Sequence, residues 1–151
     1  MLPKIETPIH EFTVPSTGEV KRFRPFLVKE EKILLIAQES KDLDQIVLAI
    51  KQIINNCVEN VDVEKLPTFD LEYVFLQIRS KSVGEIANIK LLCPDDKETY
   101  VTKEIDLSKV EVEVDEIHTN NIVIDEEKKI GLIMRYPTID TVDPKKNVKG
   151  Q

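Results

Sequence analysis

The run Asp42-Leu43-Asp44-Gln45-Ile46-Val47-Leu48-Ala49-Ile50-Lys51-Gln52-Ile53-Ile54-Asn55-Asn56-Cys57 decides the fold class. Leu43, Ile46, Val47, Ile50, Ile53, Ile54 and Cys57 follow the i, i+3, i+4, i+7 spacing that gathers side chains on one side of an α-helix. Asp42 can cap it by accepting from the first free backbone N–H groups. The stripe is core packing, and Cys57 lies on it. That position makes Cys57 a small buried hydrophobe and not a nucleophile.

Working outward, Lys29–Glu39 carries Ile33, Leu34, Ile36 and Ala37 and predicts a preceding helix. Before it, Ile9–Val14 and Val20–Val28 flank Pro15-Ser16-Thr17-Gly18-Glu19, the composition of a hairpin loop. On the second strand Phe23 is expected to face inward, with Arg22 and Arg24 outward. Pro25 lacks a ladder donor and places this strand at an edge or near its end. Downstream, Asn60–Leu66 is a polar connection. Pro67-Thr68 opens a third helix near 68–82, with Leu71, Val74, Phe75 and Ile78 on one face. Arg79 and Lys81 suit its negative end, and Gly84 stops it.

Beyond Gly84 the period changes. Ala87, Ile89, Leu91 and Cys93 alternate with polar residues, Pro94-Asp95-Asp96-Lys97-Glu98 is a turn, and Tyr100–Leu107 returns. Val110, Val112 and Val114 alternate with Glu111, Glu113 and Asp115, the pattern of a half-buried strand. Asn121–Ile124 and Ile130–Tyr136 form a further pair. Segregated helices and strands predict an α+β fold: an N-terminal β-hairpin, three helices, then a mostly antiparallel β-rich half. The parts run 1–83, 84–138 and a flexible tail at 139–151, within one compact domain.

The 151 residues suffice for a core without staples. The net charge of −7, from 21 Lys and Arg against 28 Asp and Glu, disfavours nucleic acid as a partner. Two cysteines are too few for a disulfide framework and suit a reducing cytosol. Met1–His10 lacks the apolar core of a secretory signal, and no apolar run is long enough to span a bilayer, so no membrane attachment is expected.

Catalytic chemistry finds little material. His10 and His118 have no Cys or His at metal-ligand spacing, and HExxH, CxxC, GxGxxG and P-loop motifs are absent. Cys93-Pro94 begins like a zinc knuckle, but Asp95, Asp96 and Lys97 follow where a second thiolate is needed. No metal, no cofactor, no small-molecule substrate and no catalytic residue is therefore expected. Glu111 and Glu113 share the polar face of their predicted strand, not the walls of a cleft. Two charge features remain. Residues 95–118 hold nine Asp or Glu against three Lys, a local net of −6, expected as a solvated sheet face or a dock for a basic partner. Lys21, Arg22 and Arg24 form a small basic cluster, too small for a nucleic-acid footprint and a candidate contact for a protein partner.

Several blocks carry a family resemblance. They are Leu2-Pro3-Lys4-Ile5-Glu6-Thr7-Pro8-Ile9, Val14-Pro15-Ser16-Thr17-Gly18, and Arg22-Phe23-Arg24-Pro25-Phe26-Leu27-Val28-Lys29-Glu30-Glu31-Lys32. Further on come Ile50–Cys57, Leu66–Tyr73, Arg79–Glu85 and Arg135-Tyr136-Pro137-Thr138. Together they resemble the T4-type bacteriophage baseplate hub and hub-assembly family. The resemblance implies a non-enzymatic tail protein, a hub subunit or an assembly factor. Its implied partners are other hub proteins or the tape-measure protein, met in the host cytoplasm or in the tail baseplate. It also implies a longer chain beyond the Tyr-Pro-Thr block, so this one is expected to be a short member or a fragment. The competing readings are a tail-associated cell-wall hydrolase and a small regulatory nucleic-acid binder.

Overall fold

The computed structural model describes residues 7–115 and 117–142, so the expected tail at 139–151 lies outside the described residues from 143 on. β1 (His10–Thr13) pairs antiparallel with β2 (Val20–Phe23), His10 opposite Phe23 and Thr13 opposite Val20. Gly18, at φ +72°, takes the left-handed turn that a side chain would resist. Val14 N–H donates to the Glu19 carbonyl at 2.8 Å and closes the loop. The period-2 rule holds across the hairpin: Phe12, Val14 and Phe23 are buried, while Glu11, Thr13 and Arg22 are exposed.

Three helices follow: α1 (Val28–Ser40), α2 (Leu43–Cys57) and α3 (Thr68–Ser82), within a residue of their expected bounds. Asp42 caps α2 as predicted, accepting from Asp44 N–H at 3.0 Å. The α2 stripe is buried from Ile53 onward and half-buried at Ile46, Val47 and Ile50, but Leu43 at its start is 76% exposed. Phe12, Phe23, Ile53, Ile54, Leu71, Val74 and Ile78 form the centre of the core. Leaving α2, the chain lies along the open edge of β2. Arg24 N–H donates to the Cys57 carbonyl at 3.0 Å, and Glu59 N–H to the Arg22 carbonyl at 2.9 Å.

Two buried carboxylates tie the hairpin to the helices. Glu30 stands at the third position of α1 and accepts from Leu27 N–H at 2.8 Å, half of a capping box; leucine has no acceptor for the other half. Its other oxygen takes Arg24 Nη2 at 3.0 Å, with Lys29 Nζ at 3.3 Å. Arg24 is therefore turned toward α1 and mostly covered, where the strand alternation had placed it outward. Asp70, in the first turn of α3, accepts from Ser16 N–H at 3.1 Å and from the Ser16 hydroxyl. The two carboxyls titrate oppositely. Burial works against the Glu30 charge, but the hydrogen bonds from Arg24 and Leu27 and the guanidinium charge outweigh it and hold its pKa below the ordinary value. At Asp70 burial dominates and pushes the pKa up, the Ser16 bonds offsetting only part.

After α3 the chain turns at Gly84, φ +141°. β3 (Ile86–Leu92) pairs with β4 (Tyr100–Asp106) around the expected turn. A 3-10 turn at Leu107–Lys109 brings the chain back to α3: Leu107 is buried and its N–H donates to the Glu85 carbonyl at 2.7 Å. β5 (Asn121–Asp125) then pairs with β6 (Ile130–Ile133) across a bulge between Val123 and Asp125. Thr68 N–H bonds the Pro137 carbonyl at 3.1 Å, and α4 (Ile139–Val142) sets Ile139 against the core.

The class is α+β as expected, but the β-rich half is two separate ribbons and not one sheet. The expected strand at Val110–Val114 does not form. The turn at Leu107 leads the chain away from β4 and back to α3, so the valines find no ladder. Their alternation survives only as burial, with Val110 and Val112 half-buried and Glu111 and Glu113 exposed.

Two stability measurements follow. In urea, Ile53→Ala lowers the unfolding free energy by about 2–5 kcal/mol, because Ile53 is fully buried. Ile133→Ala, on a ribbon, changes it by less than about 0.5 kcal/mol. Glu30→Gln and Asp70→Asn give opposite pH slopes. The advantage of the native chain over Glu30→Gln is full above the ordinary glutamate range and falls as pH drops through it. Its advantage over Asp70→Asn is largest below the ordinary aspartate range and shrinks as pH rises through the raised value. Thermal unfolding across the carboxylate range reads both slopes, and parallel slopes would refute the assignment.

Candidate functional site

The ribbons leave the helical part carrying apolar faces. On β3–β4, Ala87, Ile89, Leu91, Val101 and Ile105 share one face, interrupted by Lys103. The middle of the other face holds Asn88, Lys90, Thr102 and Glu104, which suits water, with Ile86, Leu92 and Tyr100 exposed toward its ends. A two-stranded ribbon is marginal in water unless something covers it.

The β5–β6 ribbon has no polar face of that kind. Ile122 stands opposite Leu132, and Met134 N–H continues the ladder to the Asn120 carbonyl at 2.7 Å. Ile130, Leu132 and Met134 alternate along β6 and its continuation, with Leu132 52% exposed. The opposite face holds Val123 and Ile133, the latter 81% exposed, beside Gly131 and Asn121. Near-continuous apolar strands are the pattern of strands covered on both sides. At the ribbon's base Tyr136 packs edge-on to Phe69 of α3 at 4.9 Å, and its hydroxyl lies 2.7 Å from His118 Nε2. These contacts fix where the ribbon leaves the core.

A third apolar surface lies between α1 and α2. Ile33, Ile36, Ala37, Leu48 and Ala49, with Ser40, Gln45 and Gln52, line an open groove of about 290 Å³.

The basic cluster does not form one patch. Lys21 lies on the buried side of β2, 2.9 Å from Glu19 and 3.1 Å from the Asn60 carbonyl. Arg22 points the other way and pairs with Glu59 at 2.8 Å. Arg24 belongs to Glu30. The acidic segment 95–118 is likewise no single sheet face: it covers a hairpin tip, β4 and the irregular stretch after Leu107. His10 packs near Phe23, with ring centroids 5.5 Å apart. Burial pushes the Cys57 thiol up to about 11, so it stays protonated, and Cys93 is half-buried at the end of β3. Among the described residues no three His, Cys, Asp or Glu side chains are grouped as metal ligands.

The ribbon surfaces were not singled out from the sequence. A signal was present, since Ile122-Val123-Ile124 and Leu132-Ile133-Met134 lack the alternation of a one-faced strand.

No curated protein and no solved structure gives a significant match. The family model described as "T4 bacteriophage base plate protein" matches residues 7–151, essentially the whole chain. That match makes the chain a member of the T4 bacteriophage base plate protein family.

Proposed function

We propose that the chain is a non-enzymatic hub subunit or hub-assembly factor that acts through protein–protein contacts in contractile-tail morphogenesis. The observation that carries this reading is the β5–β6 ribbon, apolar on both faces and uncovered in the single chain. Contiguous apolar surface of this kind marks an interaction site. In a baseplate family the natural covers are other hub proteins or the tape-measure protein. Such contacts would form in the host cytoplasm during assembly. An assembly factor would leave before the particle is finished, whereas a subunit would keep its cover permanently.

Mass spectrometry of purified tails and of tail precursors tests this. The chain is expected in hub precursors; its presence in finished tails marks a subunit and its loss marks an assembly factor. Absence from both would overturn the reading. Of the basic residues, Arg22 is the one this proposal assigns to a partner. Arg22→Glu should weaken co-purification with a hub or tape-measure protein while shifting stability by less than about 0.5 kcal/mol. Arg24→Glu should destabilise the fold itself by on the order of 3 kcal/mol, because it leaves Glu30 buried without its main cation. Urea unfolding beside the co-purification separates the two effects.

A further inference from the structure

We infer that the first turn of α3 is a two-state junction through which the anchorage of the β5–β6 ribbon and the loop of the N-terminal hairpin stabilise each other. Three consecutive residues of that turn hold separate parts of the chain. Thr68 N–H and the Thr68 hydroxyl both donate to the Pro137 carbonyl, at 3.1 and 3.2 Å. The Phe69 ring meets Tyr136 edge-on at 4.9 Å. Asp70, fully buried, accepts from Ser16 N–H and from the Ser16 hydroxyl.

The reason is Pro67. It stands at the N-cap of α3, at φ −56° and ψ 154°, and makes no side-chain cap. Its ring offers no acceptor to the free N–H groups of the first turn. Proline also has no N–H, so the reciprocal bond of a capping box is closed to the carboxylate three positions on, which is Asp70. The turn is therefore closed from outside: by Ser16, 54 residues before Asp70, and by Pro137, 69 residues after Thr68. Pro67 itself bridges to Thr138. The turn's own first bond runs from Leu71 N–H to the Pro67 carbonyl at 3.1 Å. When the turn frays, Thr68, Phe69 and Asp70 leave their places together and both outside contacts are lost. Each contact thus favours the closed turn that the other requires. A two-state element biased from both sides couples them, and linkage makes the effect run in both directions. The coupling is independent of what the ribbon meets.

Amide exchange of the full chain, read residue by residue by NMR, tests this. Tyr136→Ala takes the ring off Phe69. It should speed exchange of the Leu71 amide, and of the Ser16 amide bonded to Asp70, by at least about fivefold. The Arg24 amide, bonded to the Cys57 carbonyl in the seam between β2 and the end of α2, gauges loosening of the whole fold and should move by less than about twofold. Tyr136→Phe keeps the ring on Phe69 and loses only the hydroxyl's contact with His118, so it should leave all three amides as they are. In the other direction, Ser16→Ala should speed the Leu71 and Thr68 amides while Arg24 stays. That variant loses one hydroxyl on a hairpin loop, so the test survives even if Tyr136→Ala does not fold. Unchanged Leu71 exchange in the folded alanine variants overturns the inference. So does an equal rise at Arg24, which is loosening of the whole fold. A rise in Tyr136→Phe equal to that in Tyr136→Ala overturns it too, by routing the effect through His118.

Discussion

The C-terminal end of β2 has no free edge. β1 covers one side, and the chain leaving α2 covers the other through the Arg22, Arg24, Cys57 and Glu59 backbone bonds. With both edges satisfied, the inward face of the hairpin must lie against the end of α2, and Phe23 is driven to full burial there. The rest is arranged around that seam. Glu30 fixes the angle at which α1 leaves the hairpin, and Asp70 fixes where the first turn of α3 meets its loop. Both are polar contacts in a dry place, so they specify one geometry more than they add net stability.

The consequence is a division of labour within 151 residues. The central cluster is drawn from residues 12–78; from the strand-rich half Leu107 is buried, and Ile139 packs against the cluster from α4. The ribbons are thus held by their bases and contribute little to the core that holds them. Among the described residues no helix is long and apolar enough to cross a membrane.

Legibility followed the range of the interactions. Helices α1 to α3 were readable because stripe, cap and stop signals are local: Ile53 and Ile54 three or four residues from Ile50 and Cys57, Asp42 before its helix, Gly84 after its own. The hairpin was readable for the same reason. Val110–Val114 was misread because alternation records which side meets water, not whether a neighbouring strand exists. Arg24 was misread because its partner, Glu30, belongs to the next element, and strand alternation ends at Phe23. The exposed apolar ribbon lay further from reach. Apolar residues predict burial, and nothing in a run such as Ile122-Val123-Ile124 says whether its cover is the same chain.

The order of the core along the chain also sets an order in time. Synthesis proceeds from the N-terminus, and folding units tend to form as they emerge. Phe12 through Ile78 can gather before the ribbons exist, and the late arrivals are Leu107 and Ile139. The nascent protein therefore owns its scaffold before it owns its exposed apolar ribbons. Premature pairing of two growing chains through the ribbon edges has to wait until the strands that follow Gly84 have emerged.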